Sequence, residues 1–352
     1  MFNKWRVVIA ATTLLACAGM ALAEEGVSDN TILIGQTVGV TGIVAAPVKE
    51  MNEGANAYIA LVNKQGGVNG RKIVLRTIDD KFDPALARSN AETLVKQDHV
   101  FALFQSRGTP HTEAILPVLI ANNVPLVAPS TGATIFHEPV NHLVFNVRAK
   151  YQDEVVKAIE HLSTIGITSI GLLHVDDSFG RDGLAGFSRA MAARKLTPVV
   201  IQKFDRIAPD YKATAAALIK AKPAALIIVS SSKNTIDVIK EIRTQGSQMQ
   251  IVTLSNNSSL SFVKDLGKDG IGVVVTQISP APHLVSSVLG QEFKLAAKAS
   301  GATISYAAME GFVNAKVLVE GLRRAGRNLS RESFIRGLES MQRVDLGGVL
   351  IT

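Results

Sequence analysis

Apolar residues follow two alternating rhythms along this chain. From Pro47 to Lys64, Met51, Ala55, Ile59 and Val62 fall on one face at helical spacing while Glu50, Asn52 and Lys64 point elsewhere, which predicts an amphipathic helix. Gly66, Gly67, Asn69 and Gly70 then supply residues that stop a helix and turn the chain. Ile73, Val74, Leu75 and Ile78 form a β-branched apolar run too short for a helix, ending at Asp79 and Asp80, and predict a strand. Strand, helix, tight turn and strand make the βαβ unit of a parallel sheet.

The alternation continues. Strand-like runs occur at Ile32–Gln36, Val100–Phe104, Pro125–Ala128, Ile170–His174, Val199–Phe204, Ala225–Val229, Ile251–Leu254 and Val273–Gln277. Amphipathic stretches separate most of them, at Pro84–Lys96, Tyr151–Leu162, Gly183–Arg194, Tyr211–Lys220 and Thr235–Thr244. So many strands would crowd one sheet, and two doubly wound α/β lobes accommodate them better. The expected boundary is Val140–Lys150, where Leu143–Val147 leads into the helix near Tyr151. A return crossing is expected at Gly272–Ile278, ahead of the strand-ending prolines Pro280 and Pro282. The expected first lobe is therefore 24–146 with 277–352, and the second is 147–276.

The first residues change the picture of where the chain works. Lys4 and Arg6 precede an apolar run from Val7 to Met20, and Ala21-Leu22-Ala23 offers the small-x-small pattern of a signal peptidase site. Residues 1–23 are expected to be a leader cleaved before Glu24. The alternative, a lipoprotein box at Leu14-Leu15-Ala16-Cys17, has a bulky leucine two places before the cysteine. A membrane anchor would need about 20 apolar residues, and this run is shorter. Cys17 and Trp5 are the only cysteine and tryptophan, so the mature chain is expected to carry no disulfide and to depend on core size. Loss of Lys4 and Arg6 lowers the formal net charge from +7 to +5. The basic residues are dispersed without aromatic interleaving, which argues against nucleic-acid binding.

Catalytic and metal motifs are absent: the chain has no GxSxG, HExxH, paired CxxC, P-loop or strand-borne GxGxxG. No cofactor, metal or catalytic residue is expected. His174, at a strand end, lacks an evident acid–base partner and is read as hydrogen-bonded there. Asp79 and Asp80, adjacent on a strand, point to opposite faces and are read as a turn signal, not a carboxylate dyad.

Loops at strand C-termini, where open α/β sheets bind ligands, hold the remaining chemistry. After Phe104 comes Gln105-Ser106-Arg107-Gly108-Thr109-Pro110. Ser106 and Thr109 are expected to cap a helix starting near Pro110, whose free N–H groups favour a carboxylate. After Ala128, Ser130, Thr131 and Gly132 offer two hydroxyls and a close backbone approach for a ligand. The second half repeats the arrangement with Asp176, Asp177, Ser178 and Phe179, with Ser230 and Ser231, and with Asn256 and Asn257 inside Ser255–Ser259. Tyr151 either adds a hydroxyl and a ring to the cleft or packs at the lobe boundary. With four tyrosines and no tryptophan in the mature chain, sugar stacking is weakly supported.

Ile32–Thr41, Gly66–Asp80, Val124–Ala133, Asp177–Leu184 and Tyr306–Gly326, in that order, resemble the extracytoplasmic solute-binding proteins of branched-chain amino-acid-type ABC importers. The resemblance runs from about residue 27 to the C-terminus. It implies a type I periplasmic-binding fold, two lobes joined by crossing segments, a periplasmic and monomeric binder without catalysis, and delivery of a small solute to a permease and its ATPases. It places first-lobe contacts to a ligand carboxylate on Ser106, Gly108, Thr109, Ser130, Thr131 and Gly132. Second-lobe contacts fall on Tyr151, the Asp176–Phe179 loop and near Ser230 and Ser231. A ligand sensor on the same fold is the alternative.

Two departures from the family stand out. Amino-acid-binding relatives hold the ammonium with an acid in the loop matching Ser255–Ser259, and here that loop reads SNNSS. The expected ligand is therefore an amine-free carboxylate or an amide-like solute, unless Asp176 or Asp177 substitutes for the missing acid. The resemblance also implies further C-terminal strands, whereas Val349–Thr352 starts a strand and stops.

Overall fold

A computed structural model describes residues 24–351; the expected leader and Cys17 lie outside the described residues. In the first part of the chain β1 (Thr31–Val38), α1 (Ala45–Lys64), β2 (Lys72–Asp79), α2 (Pro84–Lys96), β3 (Ala102–Phe104), α3 (Thr109–Ala121), β4 (Leu126–Val127) and β5 (Val144–Phe145) succeed one another. Their strands form a five-stranded parallel sheet in the order β2-β1-β3-β4-β5. There follow α4 (Tyr151–Thr164), β6 (Ile170–Val175), α5 (Ser178–Ala193), β7 (Val200–Phe204), α6 (Tyr211–Ala221), β8 (Ala225–Val229), α7 (Ser232–Thr244), β9 (Gln250–Thr253), α8 (Leu260–Leu266) and β10 (Val273–Val275). These strands make a second five-stranded parallel sheet, β10-β9-β8-β6-β7. Counting strands from the start of each sheet, both have the order 2-1-3-4-5, the doubly wound arrangement with its switch point beside the first strand.

The chain then returns through α9 (Val288–Ser300), α10 (Tyr306–Ala325) and α11 (Arg331–Glu339) to an antiparallel pair, β11 (Val344–Asp345) and β12 (Leu350–Ile351). The strand expected at Val349 is thus paired, a partner that the alternation of apolar residues did not disclose. Among the described residues the chain passes between the sheets twice, at 146–150 and at 276–287.

Alternation along the strands explains the layers of the first sheet. Ala102, Phe104 and Val127 join a core with α1, α9 and α10, while Leu103 and Leu126 face a core with α2 and α3. α1 and α10 pack with their backbones nearly touching: a Cβ on Gly54 would lie 1.8 Å from the Ala308 carbonyl oxygen, and one on Gly311 1.8 Å from that of Met51. The second sheet is packed around a separate core built on Leu172, Ile227, Val252 and Phe187.

Several local predictions hold to the residue. Asp83 Oδ1 accepts from the Ala85 N–H at 2.7 Å with Pro84 opening α2, so capping fixes that start. In the turn after α1, Gly66, Gly67, Asn69 and Gly70 each have positive φ. In contrast, α5 starts at Ser178, five residues before the apolar periodicity suggested, because Asp177 caps it through the Gly180 N–H.

Candidate ligand-binding cleft

Loops at the C-terminal ends of both sheets converge on a small cavity of about 20 Å³, roughly the room one water needs. Val44, Phe82, Arg107, Gly108, Thr109 and Ser130 line it from the first sheet's side; Tyr151, Phe179, Arg206, Ser231 and Asn256 line it from the second. The lobes are closed on each other. Glu50, on α1, accepts from the Leu260 and Ser261 N–H groups at the start of α8 at 2.8 and 2.9 Å. The Ser178 hydroxyl donates to Glu113 on α3. A larger space of about 360 Å³ lies at the outer seam of the same closure, between Ala45–Pro47 of α1 and the α7–α8 region.

The first-sheet loops run side by side because β3 and β4 are neighbours. The Ser130 N–H donates to the Ser106 carbonyl at 2.6 Å and the Gly108 N–H to the Ser130 carbonyl at 3.3 Å. The Thr109 and Thr131 hydroxyls meet at 2.8 Å. α3 starts after Gly108, and no side chain caps it; the Ser106 hydroxyl instead meets Thr112 at 3.1 Å. That corrects the expected capping by Ser106 and Thr109. Gly132 is also reassigned. A Cβ there would lie 2.4 Å from the Ala149 carbonyl oxygen, so the close approach it permits is to the crossing segment.

On the other side, Ser231 and Asn256 reach the cavity, but Ser230 and Asn257 stand behind it. The Ser230 carbonyl accepts from both asparagine amides, and Asn257 also bonds Thr235 and Thr253 within its own lobe. Asp176 points to Lys203 at 2.7 Å on the surface, and Asp177 pairs with Arg206. Neither acid is free to replace the carboxylate missing from the 255–259 loop. Tyr151 is buried against Phe179, ring centroids 4.6 Å apart, and borders the cavity. His174 is buried with Nδ1 2.9 Å from the Val175 carbonyl oxygen, a strand-end hydrogen bond.

Charged groups that patterning missed dominate the interior. Arg148, on the first crossing, is 4% exposed. Its Nη1 donates to Glu310 at 2.8 Å, its Nη2 donates to Ser255 and lies 3.5 Å from Glu154. Burial opposes the charge, but Glu310 and Glu154 hold the Arg148 pKa above the ordinary arginine value. Glu154 also accepts from the Ser255 N–H at 2.9 Å and from the Thr276 hydroxyl, so this cluster joins both crossings to the second sheet's loop. Arg107 differs. Its Nη1 donates to the Ser130 hydroxyl at 3.2 Å and its Nη2 to the Asn256 carbonyl at 2.8 Å, across the cleft. No carboxylate touches it among the described residues, Glu310 being one hydroxyl away through Ser130, and burial, opposed by the Glu310 charge, pulls its pKa below the ordinary value. Arg107 was within a loop singled out for its hydroxyls; its position directly after a strand-end Ser was the available signal.

Phe82 was likewise missed. Asp79 Oδ1 accepts from the Val40, Thr41 and Lys81 N–H groups, and Asp80 Oδ1 from the Phe82 N–H at 2.9 Å. The pair is therefore the turn signal it was read as, and the turn carries Phe82 into the cavity wall. Among the described residues buried Asp80 has no cation in contact. Burial, against the Phe82 N–H and Thr37 hydrogen bonds, pushes its pKa up to about 6. Buried polar atoms without partners gather nearby: Ser230 Oγ, Asn256 Oδ1, Arg206 Nη1 and both ring nitrogens of His111.

Comparison with known proteins agrees with this architecture. The Leu/Ile/Val-binding protein homolog 3 of Brucella melitensis is 24% identical over 316 residues, which cover 88% of this chain and 83% of that protein. The crystal structure of a substrate-binding periplasmic protein from Ralstonia solanacearum superposes with a TM-score of 0.85 at 31% identity, over 90% of this chain and 91% of that one. A possible leucine/isoleucine/valine-binding protein from Rhodopirellula baltica, 23% identical, superposes with a TM-score of 0.87 over 94% and 91% of the two chains. The profile of the family described as periplasmic binding protein matches residues 31–351, and this chain belongs to that family.

Proposed function

We propose that this protein binds a small carboxylate lacking an amino group in the cleft between its lobes and delivers it to an ABC-type permease. The family is one of binding proteins, and the chain is not an enzyme. Resemblance to Leu/Ile/Val-binding proteins supports the transport role and a periplasmic site of action.

One observation carries the choice of ligand: each carboxylate around the cleft is committed to the protein itself, while Arg107 has none. Glu310 and Glu154 serve Arg148, Asp177 serves Arg206, and Glu113 accepts from Ser178. An ammonium arriving here would be desolvated without a free acid, which is costly, whereas a carboxylate would meet an unmatched guanidinium. Arg107 and Thr109 supply donors from one lobe and Ser231 and Asn256 polar atoms from the other, while the Ser130 hydroxyl accepts from Arg107 and donates to Glu310 at 3.2 Å. Each lobe alone offers part of the set, so a solute favours closure by its greater affinity for the closed form.

Leucine and 4-methylpentanoate differ only in the ammonium. Thermal unfolding of the mature protein with each should show stabilisation by 4-methylpentanoate or another amine-free acid and none by leucine. Stabilisation by leucine at micromolar concentration, with none from the acids, would refute the reading.

A further inference from the structure

Phe82 is held where a phenylalanine rarely sits. Lys81 (φ 51°) and Phe82 (φ 61°) are consecutive left-handed residues, a conformation that bulky side chains adopt only when their surroundings impose it. Asp79 and Asp80 impose it through the two N–H bonds described above, and Thr37 steadies Asp80 by donating to Oδ2 at 3.1 Å. The ring so placed stacks on His111 with centroids 4.1 Å apart and planes 23° from parallel. From the opposite lobe, Arg206 sets its guanidinium carbon 5.2 Å from the Phe82 centroid. On the second lobe's side, the Tyr151 and Phe179 pair borders the same cavity, with Arg148 5.1 Å from the Tyr151 centroid. Aromatic residues from each lobe thus border the space beside Arg107, and in the closed protein Arg206 lies over the Phe82 ring and Arg148 over the Tyr151 ring.

We propose that the solute body is a flat aromatic ring that takes the place of Arg206 over Phe82 and lies against the Tyr151–Phe179 pair, with its carboxylate on Arg107. This rests on the amine-free carboxylate reading above. Ring faces reward a flat π-surface beyond the area it buries, and a saturated body of equal size forgoes that gain. The residual 20 Å³ is too small for a ring. The lobes must therefore part to admit the solute and close again with the ring against these aromatic residues.

Benzoate, cyclohexanecarboxylate and 4-methylpentanoate, titrated calorimetrically into the mature protein and its Phe82→Leu variant, test this. Benzoate should bind about tenfold more tightly than cyclohexanecarboxylate, and Phe82→Leu should erase most of that difference. Equal or weaker binding of benzoate than of either saturated acid overturns the aromatic proposal while leaving the carboxylate reading intact. A benzoate preference that survives unchanged in a folded Phe82→Leu protein overturns it too. If no acid binds, the carboxylate reading fails and this proposal falls with it. The wild-type ranking decides alone should the variant not fold.

Discussion

Arg148 and Arg107 are both buried in one cleft, yet their surroundings are opposite. Arg148 lies between Glu154 and Glu310 and ties the first crossing to both lobes. Arg107 is held by a hydroxyl and a backbone carbonyl, with no carboxylate in contact. A buried charge neutralised by its own chain makes a structural joint, and removing one partner strands the others in low dielectric. A buried charge without a carboxylate in contact stabilises the fold little, and on the proposed reading a counter-ion from the solute completes it. The comparison teaches that the acids near the cleft are engaged by the protein's own groups: Glu154 and Glu310 by Arg148, Asp177 by Arg206, Glu113 by the Ser178 hydroxyl and Glu50 by the start of α8.

The largest effect should separate the two arginines by stability. Arg148→Met leaves Glu154 and Glu310 buried without their cation and should lower unfolding free energy by about 3–5 kcal/mol, measured by urea denaturation. A midpoint equal to wild type would show that the cluster is not a joint. Arg107→Met strands no carboxylate. It should change unfolding free energy by about 1 kcal/mol or less, yet weaken binding of an amine-free carboxylate by about a hundredfold, in line with the roughly 2–5 kcal/mol at stake in a buried charge-assisted contact. Loss of stability matching that of Arg148→Met would erase the distinction.

Asp80 sharpens the comparison from the other sign, as a buried carboxyl with no cation in contact. Its pKa is raised from 3.8 to about 6 in the folded protein, so the fold binds this proton more tightly than the unfolded chain does. The resulting stabilisation is complete below pH 3.8 and is lost as pH rises through about 6. At about 1.4 kcal/mol per unit, Asp80→Asn should gain on wild type by about 2–3 kcal/mol between about pH 4 and about pH 7. A stability difference independent of pH would contradict this. The smallest effect is expected at Glu50, whose carboxylate caps α8 from the other lobe. Glu50→Ala should weaken solute affinity by about fivefold, as the loss of about 1 kcal/mol from the closed state requires, without altering the ranking of ligands. A changed ranking would place Glu50 in the recognition site instead.

Much of the fold was legible from the spacing of apolar residues, whereas the capping expected of Ser106 and Thr109 is not what the structure shows. The stretch Pro84–Lys96 is α2 to the residue, and the Met51–Val62 face of α1 is buried where spacing put it. The site was legible only to the level of loops. Thr109, Ser130, Tyr151 and Asn256 do border the cavity, but which polar groups face it depends on contacts remote in sequence. Glu310 meets Arg148 across 162 positions, and no local pattern discloses that pairing. Gly132 and Asp176 show the same limit: one yields to the crossing at Ala149, the other to Lys203 on the neighbouring strand. Phe82 was hidden because an apolar residue beside Asp79 and Asp80 gives no sign that two carboxylates hold it left-handed.

The most direct test compares an acid with its neutral isostere on the one unmatched cation. Calorimetric titration of wild type and Arg107→Met with the amine-free carboxylate that binds best, and with the corresponding primary amide, isolates the charge. The account predicts that the acid loses about a hundredfold in affinity in the variant while the amide changes by about threefold or less. Equal losses for acid and amide, or undiminished binding of the acid to Arg107→Met, would contradict the assignment of Arg107 as the anchor of the solute carboxylate.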